Sequence, residues 1–172
     1  MGRAIFTIGH GRRAADELVA CLREASIETL VDVRRYPFSR RNPQFNQQAL
    51  SETLQIEGLD YVHAADLGGL REDEPGEELF ECLGQFASYA ARMRTEEWQR
   101  ALNVALALPS PCFMCAETQW LRCHRRFISE YLFAHGWDVV HLIRPGEREP
   151  HRIHREAAHL GGQLYLCGEA IS

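Results

Sequence analysis

Short apolar runs rich in β-branched residues alternate along this chain with stretches whose apolar side chains recur every three or four positions. The first pattern is typical of buried strands, and the second is typical of helices that cover a sheet. Residues 4–9 and 29–33 are two such runs, and a helical pattern from Ala15 to Ala25 lies between them. This arrangement predicts a βαβ unit whose two strands are parallel.

The same alternation continues through the rest of the chain. Apolar residues near 79–90 recur at helical spacing, and Thr95 can cap a further helix. The remaining predicted elements are a helix over roughly 47–57, an extended segment at 61–63, an acidic surface loop at 72–78, a strand at 112–117, a helix from about 124 and a strand at 138–143.

Alternating strands and helices predict the α/β class, here a single three-layer domain with a mostly parallel β-sheet flanked by helices. A chain of 172 residues is long enough for one full core and too short for two. We therefore expect one α/β domain over residues 1–172. Residues from roughly 144 to 172 are expected to form a C-terminal extension of that domain, with a helix near 152–160 and a strand at 163–166.

The composition limits the surroundings that we expect for the protein. No apolar segment approaches the roughly 20 residues that a membrane helix needs. The first residues lead into a strand-like run instead of a charged start and a long apolar stretch, which argues against a secretion signal. We expect a cytoplasmic location, reduced cysteines and no membrane partner.

All 19 basic residues are arginine. The absence of lysine excludes Schiff-base catalysis, a lysine general base and a Walker-type phosphate lysine. The net charge of −5 argues against a broad basic face, yet arginines cluster at 34–41 and at 122–126. We therefore expect a small anionic ligand or a nucleotide as the partner and favour nucleic acid less. The sequence leaves the oligomeric state open.

Polar residues follow several of the predicted strands directly. Parallel sheets bind ligands beyond the carboxyl ends of their strands. His10, Arg34, His63 and Glu117 all fall at or just past such ends, so we expect them to share one rim of the sheet.

The densest polar cluster spans the end of the predicted strand at 112–117 and the start of the helix that follows. Two arginines in a first helical turn are unfavourable next to the positive end of the helix dipole unless an anion accompanies them, which predicts an anion site. The candidate catalytic residues are Cys123, Cys115, His10, His124 and Glu117, and the candidate anion ligands are Arg34, Arg40, Arg122 and Arg125.

The thiols allow several interpretations. Cys123 is the better candidate for a reactive thiolate, because a helix N-terminus and nearby cations lower cysteine pKa values; the alternative is that it only packs. Cys112 and Cys115 fall on opposite strand faces and are poor redox partners, whereas Glu117 shares the face of Cys115. Glu117 can transfer protons or form an ion pair with Arg125 or Arg34. His10 and His124 can act as general acid or base or, with Cys115 and Cys123, as metal ligands. An adjacent Cys-His is not a standard chelating spacing, so we assign no metal, and we predict no cofactor.

Several motifs in order resemble domain-of-unknown-function family 488. They are Thr7-Ile8-Gly9-His10, Leu30-Val31-Asp32-Val33-Arg34, the segment 39–46, Leu67-Gly68-Gly69, Cys115-Ala116-Glu117 and Cys123-His124-Arg125. The resemblance covers nearly the whole chain and implies an intracellular bacterial or archaeal α/β domain, for which no reaction is established. Ala87 stands where similar sequences often have arginine.

A more distant pattern is similar to rhodanese-like domains. It consists of a strand ending in Cys115, a loop and a helix led by arginine. The resemblance implies a cysteine held in a loop of N–H groups and arginine that cradles an anion, although the loop to Arg122 is longer here.

These observations support three hypotheses. The first is a small enzyme that binds a phosphate- or carboxylate-bearing substrate at an Arg/Cys/His site on the C-terminal rim of the sheet. The second is a non-catalytic module that binds a nucleotide or a nucleic-acid end. The third is a buried polar network that only stabilises the fold.

Overall fold

Six strands form the central sheet in the computed structural model, which describes residues 2–70 and 72–171. The spatial order is β3-β2-β4-β1-β5-β6; the first five strands are parallel and β6 is antiparallel to β5. The α/β class and the mostly parallel sheet are therefore confirmed. The strands are β1 Arg3–Gly9, β2 Thr29–Asp32, β3 Asp60–His63, β4 Pro111–Cys115, β5 Trp137–Arg144 and β6 Glu147–Pro150.

Within the described residues, five α-helices accompany the sheet: α1 Ala15–Glu24, α2 Gln47–Ile56, α3 Ala87–Met93, α4 Glu96–Leu106 and α5 Arg125–Ala134. Along β4, Cys112 and Met114 pack in the core cluster of α1 and α2, whereas Phe113 and Cys115 pack in the cluster of α3, α4 and α5. The sheet is therefore covered on both faces, and Cys112 and Cys115 point in opposite directions as predicted. Across residues 2–70 and 72–171, no helix is long and apolar enough to span a membrane.

Local sequence signals explain where the helices begin and where one is broken. Thr95 Oγ1 accepts a hydrogen bond of 3.3 Å from the Trp98 N–H at the start of α4, which confirms the predicted cap. The predicted helix near 79–90 is wrong in its first half. A 3₁₀ segment, Glu77–Phe86, precedes α3, because Phe80 and Gly84 have non-helical backbone angles.

The C-terminal extension folds as a second, antiparallel sheet of β7 Ala157–Leu160, β8 Gln163–Leu166 and β9 Glu169–Ile171. The predicted strand at 163–166 is confirmed, and the predicted helix near 152–160 is wrong. Gly161 and Gly162 both have positive φ and form a tight reversal between β7 and β8, which favours a hairpin over a helix. Leu164 and Leu166 are buried in the core cluster of α5.

Two connections attach this second sheet to the rest of the molecule. Cys82 in the 3₁₀ segment and Cys167 after β8 form a disulfide, which differs from the expectation of fully reduced cysteines. The buried carboxylate of Glu130 on α5 accepts hydrogen bonds from the His154 N–H at 2.6 Å and from His159 Nε2 at 2.9 Å. The extension is therefore linked both to α5 and to the segment that precedes α3.

Candidate functional site at the rim of the sheet

A cavity of about 1030 Å³ opens at the carboxyl ends of β1, β2 and β4. His10 follows β1 and Arg34 follows β2, and both line this cavity. His63 ends β3, and its Nε2 donates to the Arg34 carbonyl oxygen at 2.7 Å. The structure therefore brings the polar residues at these strand ends to one rim. The other predicted residues that line the cavity are Cys115, Glu117, Arg122, Cys123 and His124.

Two free cysteines meet at the floor of the cavity. Cys115 is the last residue of β4, a central strand, and Cys123 lies just before α5. The loop between them returns so that the two Sγ atoms are 2.8 Å apart, with the Cys123 thiol donating to Cys115. Both side chains are buried, and both line the cavity. The Arg125 N–H, at the start of α5, points at Cys123 Sγ from 3.5 Å.

The loop after β4 packs directly on the end of β1. A Cβ atom on Gly9 would lie 1.8 Å from the Glu117 carbonyl oxygen, so no side chain fits at this position. The N–H groups of His10 and Gly11 donate to the carbonyl oxygens of Cys115 and Ala116 at 2.9 Å and 3.0 Å. This close contact explains the Gly9-His10 motif, because it holds the loop beside the two thiols.

Arg125 lies beneath the same loop with only 1 % of its surface exposed. Its Nη2 donates to the carbonyl oxygens of Glu117 and Thr118 at 3.2 Å and 3.3 Å, while Nε and Nη1 have no hydrogen-bond partner within the described part of the chain. No described carboxylate pairs with this guanidinium. A buried cation without a carboxylate favours negative charge on any ionisable neighbour, and Cys115 is such a neighbour.

The pKa values of the two thiols move in opposite directions. Burial alone raises the pKa of Cys115, but the hydrogen bond from Cys123 and the Arg125 charge outweigh it and lower the value to about 7. The pKa of Cys123 is raised, because its thiol donates to Cys115 and is itself buried. These opposite directions favour the negative charge on Cys115 over Cys123. The sequence favoured Cys123 for this role, because only the sequence position next to the helix start was visible.

The positive charge of Arg34 is already balanced by a carboxylate within the protein. Its Nε and Nη2 donate to the two carboxylate oxygens of Asp32 at 2.9 Å and 2.6 Å, and Nη2 also donates to the Phe45 carbonyl oxygen. Its Nη1 donates to His10 Nε2 at 3.2 Å. This geometry leaves little of Arg34 for a ligand, although it was predicted as an anion ligand.

His10 is held as a neutral ring. Its Nδ1 donates to the Gly11 carbonyl oxygen at 2.9 Å, and its ring stacks on Phe45 with centroids 4.5 Å apart. Burial lowers the pKa of His10 to about 4, and the charge of Arg34 acts in the same direction. With both ring nitrogens engaged, His10 is better placed to orient Arg34 than to move a proton.

His124 bridges the thiols and the end of β2. Its Nε2 donates to the Val33 carbonyl oxygen at 3.2 Å, and its Nδ1 lies 3.5 Å from Cys123 Sγ. Glu117 is exposed, and it forms no ion pair with Arg34 or Arg125, so the ion pair considered from the sequence is not formed. Because β4 ends at Cys115, Glu117 belongs to the loop and the strand-face argument does not apply to it.

A protein-family model matches most of the chain. The model of DUF488, a domain of unknown function, matches residues 14–132. The chain belongs to the DUF488 family. The DUF488 match includes Arg34, Cys115 and Cys123 and stops within α5, while His10 lies before it. No curated protein and no solved structure matches the chain.

The cavity of this DUF488 protein also differs from the sequence-based site in its arginines. Arg40 is exposed and lies outside the cavity lining, and Arg125 supports the loop from below. In the described part of the chain, no group of three or more histidine, cysteine or acidic side chains could hold a metal ion. The lining instead contains two glutamates and five arginines, which are Arg12, Arg34, Arg35, Arg41 and Arg122.

Sequence reasoning missed several lining residues, above all Arg12 and the aromatic residues Tyr36, Phe38 and Tyr89. Arg12 follows the end of β1 by three positions, so the rule that placed His10 at the rim could have been extended to it. No comparable signal pointed to Tyr89, which reaches the cavity from α3.

Proposed function

We propose that this protein is an enzyme that binds a small anionic substrate in the rim cavity and attacks it with the Cys115 thiolate. The observation that carries the proposal is a buried thiol pair, 2.8 Å apart, at the floor of an arginine-lined cavity. The pair lies beside the Arg125 guanidinium, which has no carboxylate partner among the residues that the structure describes. Strongly perturbed ionisable groups in a cleft are typical of functional sites.

The substrate class follows from the charges around the cavity. Among residues 2–70 and 72–171, no carboxylate pairs with Arg12, Arg41 or Arg122, and all three line the cavity. A guanidinium binds phosphate or carboxylate through two parallel hydrogen bonds. The whole chain has a net charge of −5, so this local excess of positive charge supports a phosphate- or carboxylate-bearing substrate.

Each nearby side chain has a distinct part in the proposed step. Cys115 is the nucleophile, since a thiol with a pKa of about 7 is half ionised at neutral pH. Arg125 is a positioning residue that stabilises this charge and holds the loop at 117–118. Cys123 donates its thiol hydrogen to Cys115, and His124 Nδ1 lies 3.5 Å from Cys123 Sγ. No cofactor or metal enters this step.

Site-resolved alkylation tests the proposal directly. Purified protein is treated with iodoacetamide from pH 5 to pH 9, and each cysteine is quantified by peptide mass spectrometry. We expect Cys115 to react in the folded protein with a midpoint at about 7 and to be protected by inorganic phosphate. Cys21 and Cys112 are the internal controls, because burial raises the pKa of both and neither lines the cavity. Labelling of Cys115 only after unfolding contradicts the proposal.

A second function is favoured by a different observation. Tyr36 and Phe38 line the cavity yet are 63 % and 66 % exposed, and the Arg35 guanidinium lies 5.3 Å from the Tyr36 ring centre. Exposed aromatic rings beside arginines stack bases and hold phosphates. A non-catalytic module for a nucleotide or a nucleic-acid end would use this surface.

Oligonucleotide binding separates the second function from the first. We expect a short single strand to bind with a steep salt dependence, and Tyr36→Ala and Phe38→Ala to weaken binding by about fivefold or more each. Ile153→Ala is the matched control, since this exposed apolar residue lies outside the cavity lining. No binding at low salt rejects this second function and leaves the thiol enzyme unaffected.

A further inference from the structure

We propose that Cys115 and Cys123 form a reversible dithiol–disulfide pair that reduces small anionic disulfides. The inference rests on the proposed function, because it needs Cys115 as the nucleophile, and it adds the substrate class and a partner thiol. Its starting point is the placement of a second free thiol in contact with the first.

The geometry of the pair is close to that of a bond. The two Sγ atoms are 2.8 Å apart, and a disulfide bond is about 2.05 Å long, so the sulfur atoms need to approach by only about 0.8 Å. Cys123 lies on the connection between β4 and α5, outside both regular elements. Cys112, the other cysteine of β4, faces the opposite side of the sheet and cannot compete as the partner.

The presence of a second thiol beside the first favours one class of substrate over the others. If Cys115 attacked an acyl or phosphoryl centre, attack by Cys123 would only move the group from one sulfur to another. If Cys115 attacks a disulfide, its own sulfur becomes electrophilic in the mixed disulfide, and a thiol 2.8 Å away resolves it without diffusion. The close pair therefore favours a substrate whose reacting bond is a sulfur–sulfur bond.

The proposed sequence has two steps. The Cys115 thiolate attacks one sulfur of the substrate, its Sγ forms a mixed disulfide, and the other half of the substrate leaves as a thiolate. Cys123 then loses its proton and attacks Cys115 Sγ, which forms the Cys115–Cys123 disulfide and expels the second half. One disulfide is reduced to two thiols, and the two cysteine thiols are oxidised to one disulfide. An external dithiol reductant returns the pair to its starting state.

The charges around the site favour a negatively charged substrate. Both leaving groups are thiolates, and their negative charge adds to that of the substrate. Arg12, Arg41 and Arg122 line the cavity and can hold such groups while the bonds exchange. Arg125 favours the ionised form of Cys115 but does not line the cavity, so it acts on the nucleophile and not on the substrate.

The experiment uses dithiobis(nitrobenzoate), an aromatic disulfide with two carboxylates whose released thiolate is coloured. Wild-type protein should release two thiolates per molecule and yield a Cys115–Cys123 disulfide in the peptide map. The Cys123→Ser variant should release one thiolate and retain a nitrobenzoate adduct on Cys115. Cys115→Ser should give neither product at that site. The Cys82–Cys167 disulfide is followed in the same map, so its exchange cannot be mistaken for the proposed reaction.

Two results distinguish failure of this inference from failure of the proposed function. A stable adduct on Cys115 in the wild-type protein, with no internal disulfide, overturns the role of Cys123 and leaves Cys115 as a nucleophile. If Cys115 remains unmodified in the folded protein by both the disulfide and iodoacetamide, both proposals are wrong.

A comparison of a negatively charged disulfide with an uncharged one tests the preference for anionic substrates. The ratio of the rates with dithiobis(nitrobenzoate) and with the uncharged dithiodipyridine should fall by about threefold to tenfold in Arg122→Gln and in Arg12→Gln. Arg100→Gln is the matched control, because Arg100 is exposed on α4 and outside the cavity. Equal ratios in all three variants overturn the preference for anionic disulfides.

Discussion

The protein contains two close pairs of cysteines in very different surroundings. Cys115 and Cys123 are both buried, with free Sγ atoms 2.8 Å apart at the floor of the cavity. Cys82 and Cys167 are joined by a disulfide although they lie 85 positions apart in the sequence, and Cys82 is exposed. Proximity is therefore common to both pairs and does not by itself distinguish a reactive pair from a structural one.

The difference lies in charge and in the elements that each pair connects. The hydrogen bond from Cys123 and the buried Arg125 guanidinium lower the pKa of Cys115, and the arginine-lined cavity opens onto this pair. The disulfide joins the 3₁₀ segment before α3 to the end of β8, so it closes a long loop and restrains the unfolded chain. We infer that the first pair serves chemistry and the second serves stability.

The strongest test of this comparison removes the nucleophile. Cys115→Ser should lower the rate of disulfide reduction by at least about a thousandfold, because a serine hydroxyl is not ionised at neutral pH. The rate of thiolate release is the measurement. The double variant Cys82→Ser/Cys167→Ser is the matched control, because it removes the disulfide without leaving a free thiol, and it should retain the wild-type rate within about twofold. Equal losses in the two variants would mean that both pairs are structural.

The second test breaks the disulfide. Cys82→Ser should lower the free energy of unfolding by about 2–4 kcal/mol, because the unfolded chain loses a crosslink over a long loop. Urea denaturation measures this change, and the alkylation midpoint of Cys115 should not move. Wild-type protein in reductant should lose the same free energy, while the variant should not respond to reductant. A wild-type protein that keeps its stability in reductant contradicts the structural role.

The third test removes the charge beneath the reactive pair. Arg125→Met should raise the alkylation midpoint of Cys115 by about one pH unit or more, because the guanidinium favours the thiolate. A higher pKa means less thiolate at pH 7, so labelling there should slow by about fivefold or more. Arg126→Met is the control, since Arg126 lies over the rings of Phe86 and Phe127 and contacts His154. An unchanged midpoint in Arg125→Met would remove Arg125 from the account.

The smallest predicted effect lowers the alkylation midpoint of Cys115, whereas Arg125→Met raises it. The negative charge of Glu117 raises the pKa of Cys115, so Glu117→Gln should lower the midpoint, by less than about half a pH unit because the side chain is exposed. Labelling at pH 6 should become slightly faster. High salt should reduce the difference between variant and wild type. A slower reaction at pH 6 would show that the carboxylate acts by contact and not by charge.

Local sequence patterns predicted correctly those helices and strands whose formation depends on interactions between residues close in the sequence. Thr95 caps α4, and the alternation along β4 separates Cys112 from Cys115. The pattern was misleading where a turn interrupts it, as at Gly84 in the 3₁₀ segment. In the C-terminal extension, a hairpin replaced the predicted helix because Gly161 and Gly162 reverse the chain between β7 and β8.

By itself, the sequence determined the α/β class, most element positions and the presence of His10, Arg34 and Cys115 at the ends of parallel strands. These properties depend on periodicity and chain direction, which are local. Only the tertiary structure decided the partners: Cys123 for Cys115, Asp32 and His10 for Arg34, and Cys167 for Cys82. Which side chains pair depends on how each loop folds back and on what it packs against. The direction of the hydrogen bond between the two thiols decides which of them has the lower pKa.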